Sequence, residues 1–176
     1  GPDRCVVFQE DALFPWLTVE ENIAFGVRAP KRSLQAEVEH FLSLVGLTEF
    51  GGYLPREISG GMKQRVALAR VLILKPAVLL MDEPFAALDA TTREEMQDLL
   101  LGLWGKLHHT ILFVTHDVAE AVKMADRILL MDKDPGRIRE EIRIDLPRPR
   151  IKETSRFLLL CRDLLEKLRG NPSGNG

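Results

Sequence analysis

The sequence predicts an α/β domain with a largely parallel sheet flanked by helices. Short apolar runs at residues 5–8, 77–81, 110–114 and 128–131 alternate with longer stretches of helical periodicity. That alternation is the pattern of β-α units. The run Ala77-Val78-Leu79-Leu80-Met81 has no apolar–polar alternation, as in a parallel strand covered on both faces. Between the first and second runs, residues 18–55 read as a mainly helical lobe.

The elements follow in order. Cys5-Val6-Val7-Phe8 reads as a buried strand that ends at the polar loop Gln9-Glu10-Asp11. Leu13-Phe14-Pro15-Trp16-Leu17 places large apolar side chains in a proline-containing turn. Thr18 and Glu21 have capping-box spacing, so a helix starts at Val19 and ends by Gly26 and Pro30. Residues 33–47 form a second helix on Val38, Phe41, Leu42 and Val45, punctuated by Gly46 and Gly51-Gly52. Ser59 fits an N-cap for a helix over 62–74, which Pro76 closes. Thr91 and Glu94 predict a capping box for the next helix, whose stripe is Met96, Leu99, Leu100, Leu103, Trp104 and Leu107. A strand over 110–114, a helix over 118–125 and a strand over 128–131 follow. Residues 137–146 alternate as an edge strand or hairpin arm, interrupted by Pro147 and Pro149. Residues 155–169 form an amphipathic helix on Phe157, Cys161, Leu164, Leu165 and Leu168, and a Gly/Asn/Pro/Ser tail over 170–176 is expected to be disordered.

Bulk properties narrow the function. The 176 residues suit one domain, and 45% apolar with 28% charged residues is ordinary for a globular protein. A net charge of -2 gives no electrostatic footprint for nucleic acid. Cys5 and Cys161 form no CxxC pair, which suits a reducing compartment without a disulfide framework. No apolar run approaches the roughly 18 residues that a membrane span needs.

The candidate chemistry lies between Ile58 and Asp89. Ser59-Gly60-Gly61 opens a helix, where unpaired N–H groups and the positive end of the dipole favour an anion. A simple N-cap with a flexible turn gives the same pattern. Asp82-Glu83 ends a buried strand, which suits Asp82 to a hard cation and Glu83 to an attacking water. A solvated acidic turn closed by Pro84 is the alternative. His116 follows the 110–114 strand and so falls at the same sheet edge as Glu83, where it can meet a terminal phosphate or cap a helix. Gln9 also ends a strand, at the entrance to the helical lobe. His40, His108 and His109 fall on helix surface or in a loop.

In this order, these residues resemble the ATPase subunits of ABC transporters, over nearly the whole chain to about Arg150. Gln9 is similar to the Q-loop, and Ile58-Ser59-Gly60-Gly61-Met62 to the signature motif, with Ile and Met for the commoner Leu and Gln. Val78 to Asp82 resembles Walker B, Glu83 the catalytic glutamate, Ala87-Leu88-Asp89 the D-loop and His116 the switch histidine. Leu13 to Val19, Thr115-His116-Asp117, Pro135-Gly136-Arg137-Ile138 and Leu146-Pro147-Arg148-Pro149-Arg150 resemble the nitrate/sulfonate/taurine/bicarbonate importer group.

The resemblance implies a P-loop NTPase-like fold with an inserted helical subdomain at about 18–75. Residues 1–150 would be part of an ABC ATPase domain, and 151–169 an amphipathic C-terminal helix. It implies ATP and Mg²⁺, with Glu83 and His116 catalytic and Asp82 and Gln9 at the metal. Gln9, Ser59, Gly60, Gly61, Met62 and Asp89 would bind nucleotide. The implied partners are a second ATPase subunit, in a homodimer, integral membrane permease subunits and, indirectly, a solute-binding protein; no nucleic acid is implied. The implied place is the cytoplasmic face of the membrane, as a peripheral subunit.

No G-x-x-x-x-G-K-[ST] occurs in the 176 residues, and Gly105-Lys106-Leu107 does not supply one. In the family that Walker A loop precedes the Q-loop strand. The expectation is therefore a chain without the first core strands and the cis phosphate cradle, either a partial sequence or a natural truncation, unable to hydrolyse ATP alone. A catalytically dead ABC module and a soluble non-transport ABC protein are the alternatives.

Overall fold

The computed structural model describes residues 4–7, 13–28, 30–107 and 110–170. The chain divides into two compact units, Gly1–Val114 and Thr115–Gly176.

In the first unit β1 (Arg4–Val7), β2 (Val78–Asp82) and β3 (Thr110–Val114) form a parallel sheet in the order β1-β2-β3. Met81 is in register with Val7 and Phe113, and Asp82 with Val114. Within β2, Leu79 and Met81 are buried while Val78 and Leu80 are only partly so. Leu112, in register with Leu80, is 50% exposed, and Val114 is 52% exposed. The expectation of full cover on both faces is therefore corrected. An apolar run reports two apolar faces; among the described residues one is buried and the other only partly covered.

The lobe comprises α1 (Val19–Ala24), α2 (Lys31–Leu44), 3-10 turns at Thr48–Phe50 and Pro55–Glu57, and α3 (Gly60–Leu72). The capping box at Thr18 is complete: its hydroxyl accepts the Glu21 N–H at 3.2 Å, and the Glu21 carboxylate accepts the Thr18 N–H at 2.8 Å. Helix α2 ends earlier than periodicity suggests. Gly46 takes φ +70°, its N–H donates to Ser43 O at 3.2 Å, and the Leu47 N–H donates to Leu42 O at 2.8 Å. That pair of bonds is a Schellman closure, which needs a residue free to turn left-handed. Val38, Phe41, Leu42 and Val45 are all buried, as their spacing predicts.

Helix α4 (Ala90–Leu107) starts differently from expectation. Asp89, not Thr91, caps it, accepting the Thr92 N–H at 3.0 Å. Two capping signals lie two residues apart in this sequence, and the earlier one, an ionised acceptor, takes the helix start.

The second unit holds α5 (Val118–Met124), β4 (Arg127–Asp132), β5 (Arg137–Arg143) and α6 (Ser155–Arg169). Among the described residues β4 pairs with β5 in an antiparallel hairpin, not in the parallel sheet. Only residues 133–136 join the two strands, and a return that short can only be antiparallel. The unit's core is Val122, Leu130, Phe157 and Leu164. Residues 155–169 form the amphipathic helix expected, with Leu165 and Leu168 of its apolar arc 40% and 44% exposed. The apolar arc of this helix is wider than the surface covering it. Cys161 is a free, partly buried thiol whose pKa is raised by burial and then by Asp117.

Candidate functional site

The unit around α3 is built from its cap. Ser59 has extended backbone, and its hydroxyl accepts the Met62 N–H at 3.3 Å. A β-carbon on Gly60 would meet nothing within 4 Å, so the helix start is open to solvent there. A β-carbon on Gly61 would come within 3.1 Å of the Thr92 side chain. Gly60 therefore leaves the backbone bare, and Gly61 lets α3 approach α4. One turn on, Arg65 and Glu95 pair at 3.0 Å.

Strand β2 delivers Asp82, exposed, at its last position. Glu83 follows in the left-handed region at φ +46°, with its N–H donating to Val114 O at 2.9 Å. A non-glycine residue held there costs about 1–3 kcal/mol and recurs at functional sites. The left-handed residue turns the chain away from the sheet edge into a tight loop. In that loop Ala86 N–H donates to Glu83 O at 3.1 Å and Leu88 N–H to Phe85 O at 3.2 Å. Arg93 of α4 closes it, donating to Phe85 O at 3.2 Å and Leu88 O at 2.8 Å. The loop ends at Asp89, whose second carboxylate oxygen accepts the Thr92 hydroxyl at 2.6 Å. Thr92's hydroxyl, then its backbone N–H, hold the Asp89 carboxyl below its ordinary pKa.

These parts meet in an open cleft of about 750 Å³. Ser59, Gly60, Gly61, Met62 and Asp89 all line it, with Phe50 of the lobe on its wall. That volume lies in the range of small-molecule sites. Asp82 and Glu83 do not line this cleft; they stand at the carboxyl end of the parallel sheet. Ligands of open α/β sheets bind at that end. His116 lies in the loop between β3 and α5, at the head of the second unit. Gln9 lies outside the described residues. Among the described residues no three His, Cys, Asp or Glu side chains group as a metal cage. An exposed carboxylate such as Asp82 suits Mg²⁺, which keeps waters and takes phosphate oxygens beside one or two carboxylates.

Several residues that the motifs do not mark organise these elements. Asn22, fully buried in α1, accepts the Phe14 N–H at 2.9 Å and donates to the carbonyls of Phe14, Leu17 and Thr18. It fixes the loop that presents Trp16, 71% exposed, and Phe14, which packs on Phe25 at 4.2 Å. Arg70 of α3 sits 5.5 Å over the Phe14 ring, and burial lowers its pKa. A polar residue in register with Val19 and Ile23 marks Asn22 in the sequence, but not its partners.

Residues 3–86 match the protein-family model described as ABC transporter. A nitrate import ATP-binding protein of Synechococcus elongatus is 48% identical over 159 residues, which are 87% of this chain and 58% of that protein. An aliphatic sulfonates import ATP-binding protein of Bacillus cereus is 45% identical over 161 residues, 92% of this chain and 64% of that protein. The chain thus spans about three fifths of the length of these curated relatives. Among solved structures, cbiO1 from Clostridium perfringens, part of an ABC transporter complex, superposes with a TM-score of 0.75 at 26% identity. That match covers 97% of this chain and 64% of the other. A dimeric ATP-binding cassette in a post-hydrolysis state with ADP and Pi gives 0.65 at 30% identity, covering 82% and 64%. No helix among the described residues is long and apolar enough to cross a membrane. With the parallel sheet, the Ser59–Gly61 helix start and the Asp82–Asp89 turn, these likenesses make the chain similar to the ABC transporter family, with the fold of its ATPases.

Proposed function

We propose that the chain is part of the ATP-hydrolysing subunit of an ABC importer for a small anion, of the class of nitrate, sulfonate, taurine or bicarbonate. The observation that carries this is the division of the site. Ser59, Gly60, Gly61, Met62 and Asp89 share one cleft, while Asp82 and Glu83 stand apart from it at the sheet edge. Two separate half-sites suit a dimer in which each nucleotide lies between subunits, and a solved relative is a nucleotide-bound dimer. The two importer relatives support the transport role.

In this reading the open helix start at Gly60 and the Ser59 hydroxyl face the phosphates of a nucleotide bound by the partner subunit. Helix α3 contributes its unpaired N–H groups and dipole there. Asp82 would hold Mg²⁺, which neutralises phosphate charge when bound. Glu83 orients and deprotonates the attacking water, His116 hydrogen-bonds the terminal phosphate, and Gln9 links the metal site to the lobe. Trp16 and Phe25, both exposed, flank the partly buried Phe14 as the lobe's aromatic shelf and contact a permease subunit. The subunit is peripheral, on the cytoplasmic face of the membrane.

The test is ATP hydrolysis by the full-length protein assembled with its permease in liposomes. Glu83→Gln should lower turnover by at least about a hundredfold while ATP still binds. Unchanged turnover in that variant would sink the catalytic assignment. Co-purification with ribosomes instead of the membrane fraction would favour a non-transport ABC protein.

A further inference from the structure

The segment Leu146-Pro147-Arg148-Pro149-Arg150 has no role in the chemistry above, yet its two arginines make a dense set of polar contacts within the second unit. Arg150 is 7% exposed. Its Nη1 donates to Val122 O at 2.7 Å and Ala125 O at 2.5 Å, and its Nε to Leu146 O at 3.0 Å. Arg148 donates to Met124 O at 2.7 Å and pairs with Asp126. A helix leaves its last carbonyls without intrahelical partners. Here two guanidinia take them at the end of α5, where a positive charge also meets the negative end of the dipole.

Arg150 has no carboxylate within hydrogen-bond distance among the described residues, since Asp126 stands 3.9 Å away and pairs closely with Arg148. Burial, then the charge of Arg148, press its pKa down, and Asp126 opposes them. Removing a guanidinium from water is costly, and carbonyl oxygens offset that cost here.

Helix α5 has seven residues, too few to hold itself in water. Val122 packs its middle into the core, and polar contacts fix its two ends. At the other end Asp117 accepts the Glu120 N–H at 3.1 Å and donates its own N–H to the Thr115 hydroxyl at 3.0 Å. The two neighbours of His116 are thereby bracketed together at the helix start.

We propose that Arg150, with Arg148 beside it, is a positioning residue for His116: the two guanidinia fix the far end of α5, and α5 carries Thr115-His116-Asp117 as a short rigid rod. The functional consequence rests on the assignment of His116 to the phosphate above; the positional one does not.

The test uses Arg150→Lys and Arg148→Lys in the full-length subunit. A lysine keeps the charge but cannot fork onto carbonyls on both sides. Imidazole NMR signals are recorded, with His116 identified by its loss in His116→Ala. The His116 signals should shift or broaden while those of His40 stay put. With the permease in liposomes, kcat should fall about tenfold while KM for ATP changes by less than about twofold. In a His116→Ala background Arg150→Lys should cost nothing more. Unchanged His116 signals in folded lysine variants, or a further loss in the His116→Ala background, would overturn the proposal. If His116→Ala hydrolyses ATP normally, the phosphate assignment fails, and the NMR arm alone decides the positional claim. If Arg150→Lys does not fold, Arg148→Lys, whose side chain is 24% exposed, decides by the same readouts.

Discussion

Gly61 lies so close to Thr92 that a β-carbon on it would come within 3.1 Å of the threonine methyl. The same threonine binds Asp89 with its hydroxyl and its N–H. The first turn of α3 and the first turn of α4 are thus one joint, reinforced one turn later by Arg65 and Glu95.

This separates two adjacent glycines. Gly60→Ala meets nothing in the folded protein and should stabilise α3 by about 0.5–1 kcal/mol, since alanine is the better helix former. If a phosphate approaches that bare backbone, the same variant should lose at least about tenfold in ATP turnover. Gly61→Ala gains the same propensity but must push Thr92 aside, so it should gain less stability. Thermal melts and ATPase assays of the two variants check this. A Gly60→Ala protein that is stabler and fully active would show that nothing binds at the helix start.

Glu83 offers a trade-off of the opposite kind. Its φ of +46° is unfavourable for a side chain and indifferent to glycine. Glu83→Gly should therefore keep or raise stability, by up to about 1 kcal/mol, after the extra unfolded-state entropy of glycine is deducted. Turnover should fall as far as in Glu83→Gln. Denaturant unfolding in parallel with hydrolysis reads both. A marked loss of stability would mean that the Glu83 side chain, not the backbone turn, holds this loop.

The strands, the lobe helices and most helix ends are legible in the sequence because residues close in the chain mark each of them, whereas the sheet pairs strands far apart in the chain. Thr18 and Glu21 meet as their spacing says, and residues 155–169 are helical as their apolar period says. What depends on distant partners is not legible. Arg150 reads as a residue after a broken strand, yet two of its acceptors lie 25 and 28 residues earlier. Leu165 and Leu168 fit the apolar arc of α6, but periodicity cannot say how much of an arc a neighbour covers. Thr91 with Glu94 is a valid capping signal that loses to Asp89, two residues before it. Among the candidate site residues, the division between the cleft and the sheet edge follows from strand and helix order. The closing contacts of Arg93 and Asn22 do not, because a side-chain bond to a loop carbonyl leaves no periodic trace.

Asn22 is the residue whose loss should be felt most in the lobe. It holds three carbonyls and one N–H of the loop that carries Trp16. Asn22→Ala leaves these groups without their partner in a site of no solvent access, and should cost about 2–4 kcal/mol. The fluorescence of Trp16 reports loop release before global unfolding. Asn22→Asp keeps the acceptor for the Phe14 N–H but turns a charge toward three carbonyls, and should be no better than alanine. Either variant melting within about 1 kcal/mol of the parent would refute this account of the loop.

Asp89 gives a pH dependence with a defined sign. Thr92 holds its folded pKa below the unfolded value of about 3.9. A carboxyl with a depressed folded pKa adds stability above the unfolded pKa and loses it as pH falls through the folded one. The joint between α3 and α4 is therefore at full strength at neutral pH and weakens below about pH 4. Asp89→Asn removes this titration. It should be less stable than the parent at pH 7, and the gap should narrow steadily as the melts are repeated below pH 4. The carboxyl is fully exposed, so added salt should shrink the difference at neutral pH as well. A gap that stays constant from pH 7 to pH 3 would mean that the asparagine caps α4 as well as the carboxylate does, and that the cost of the substitution lies elsewhere in the loop.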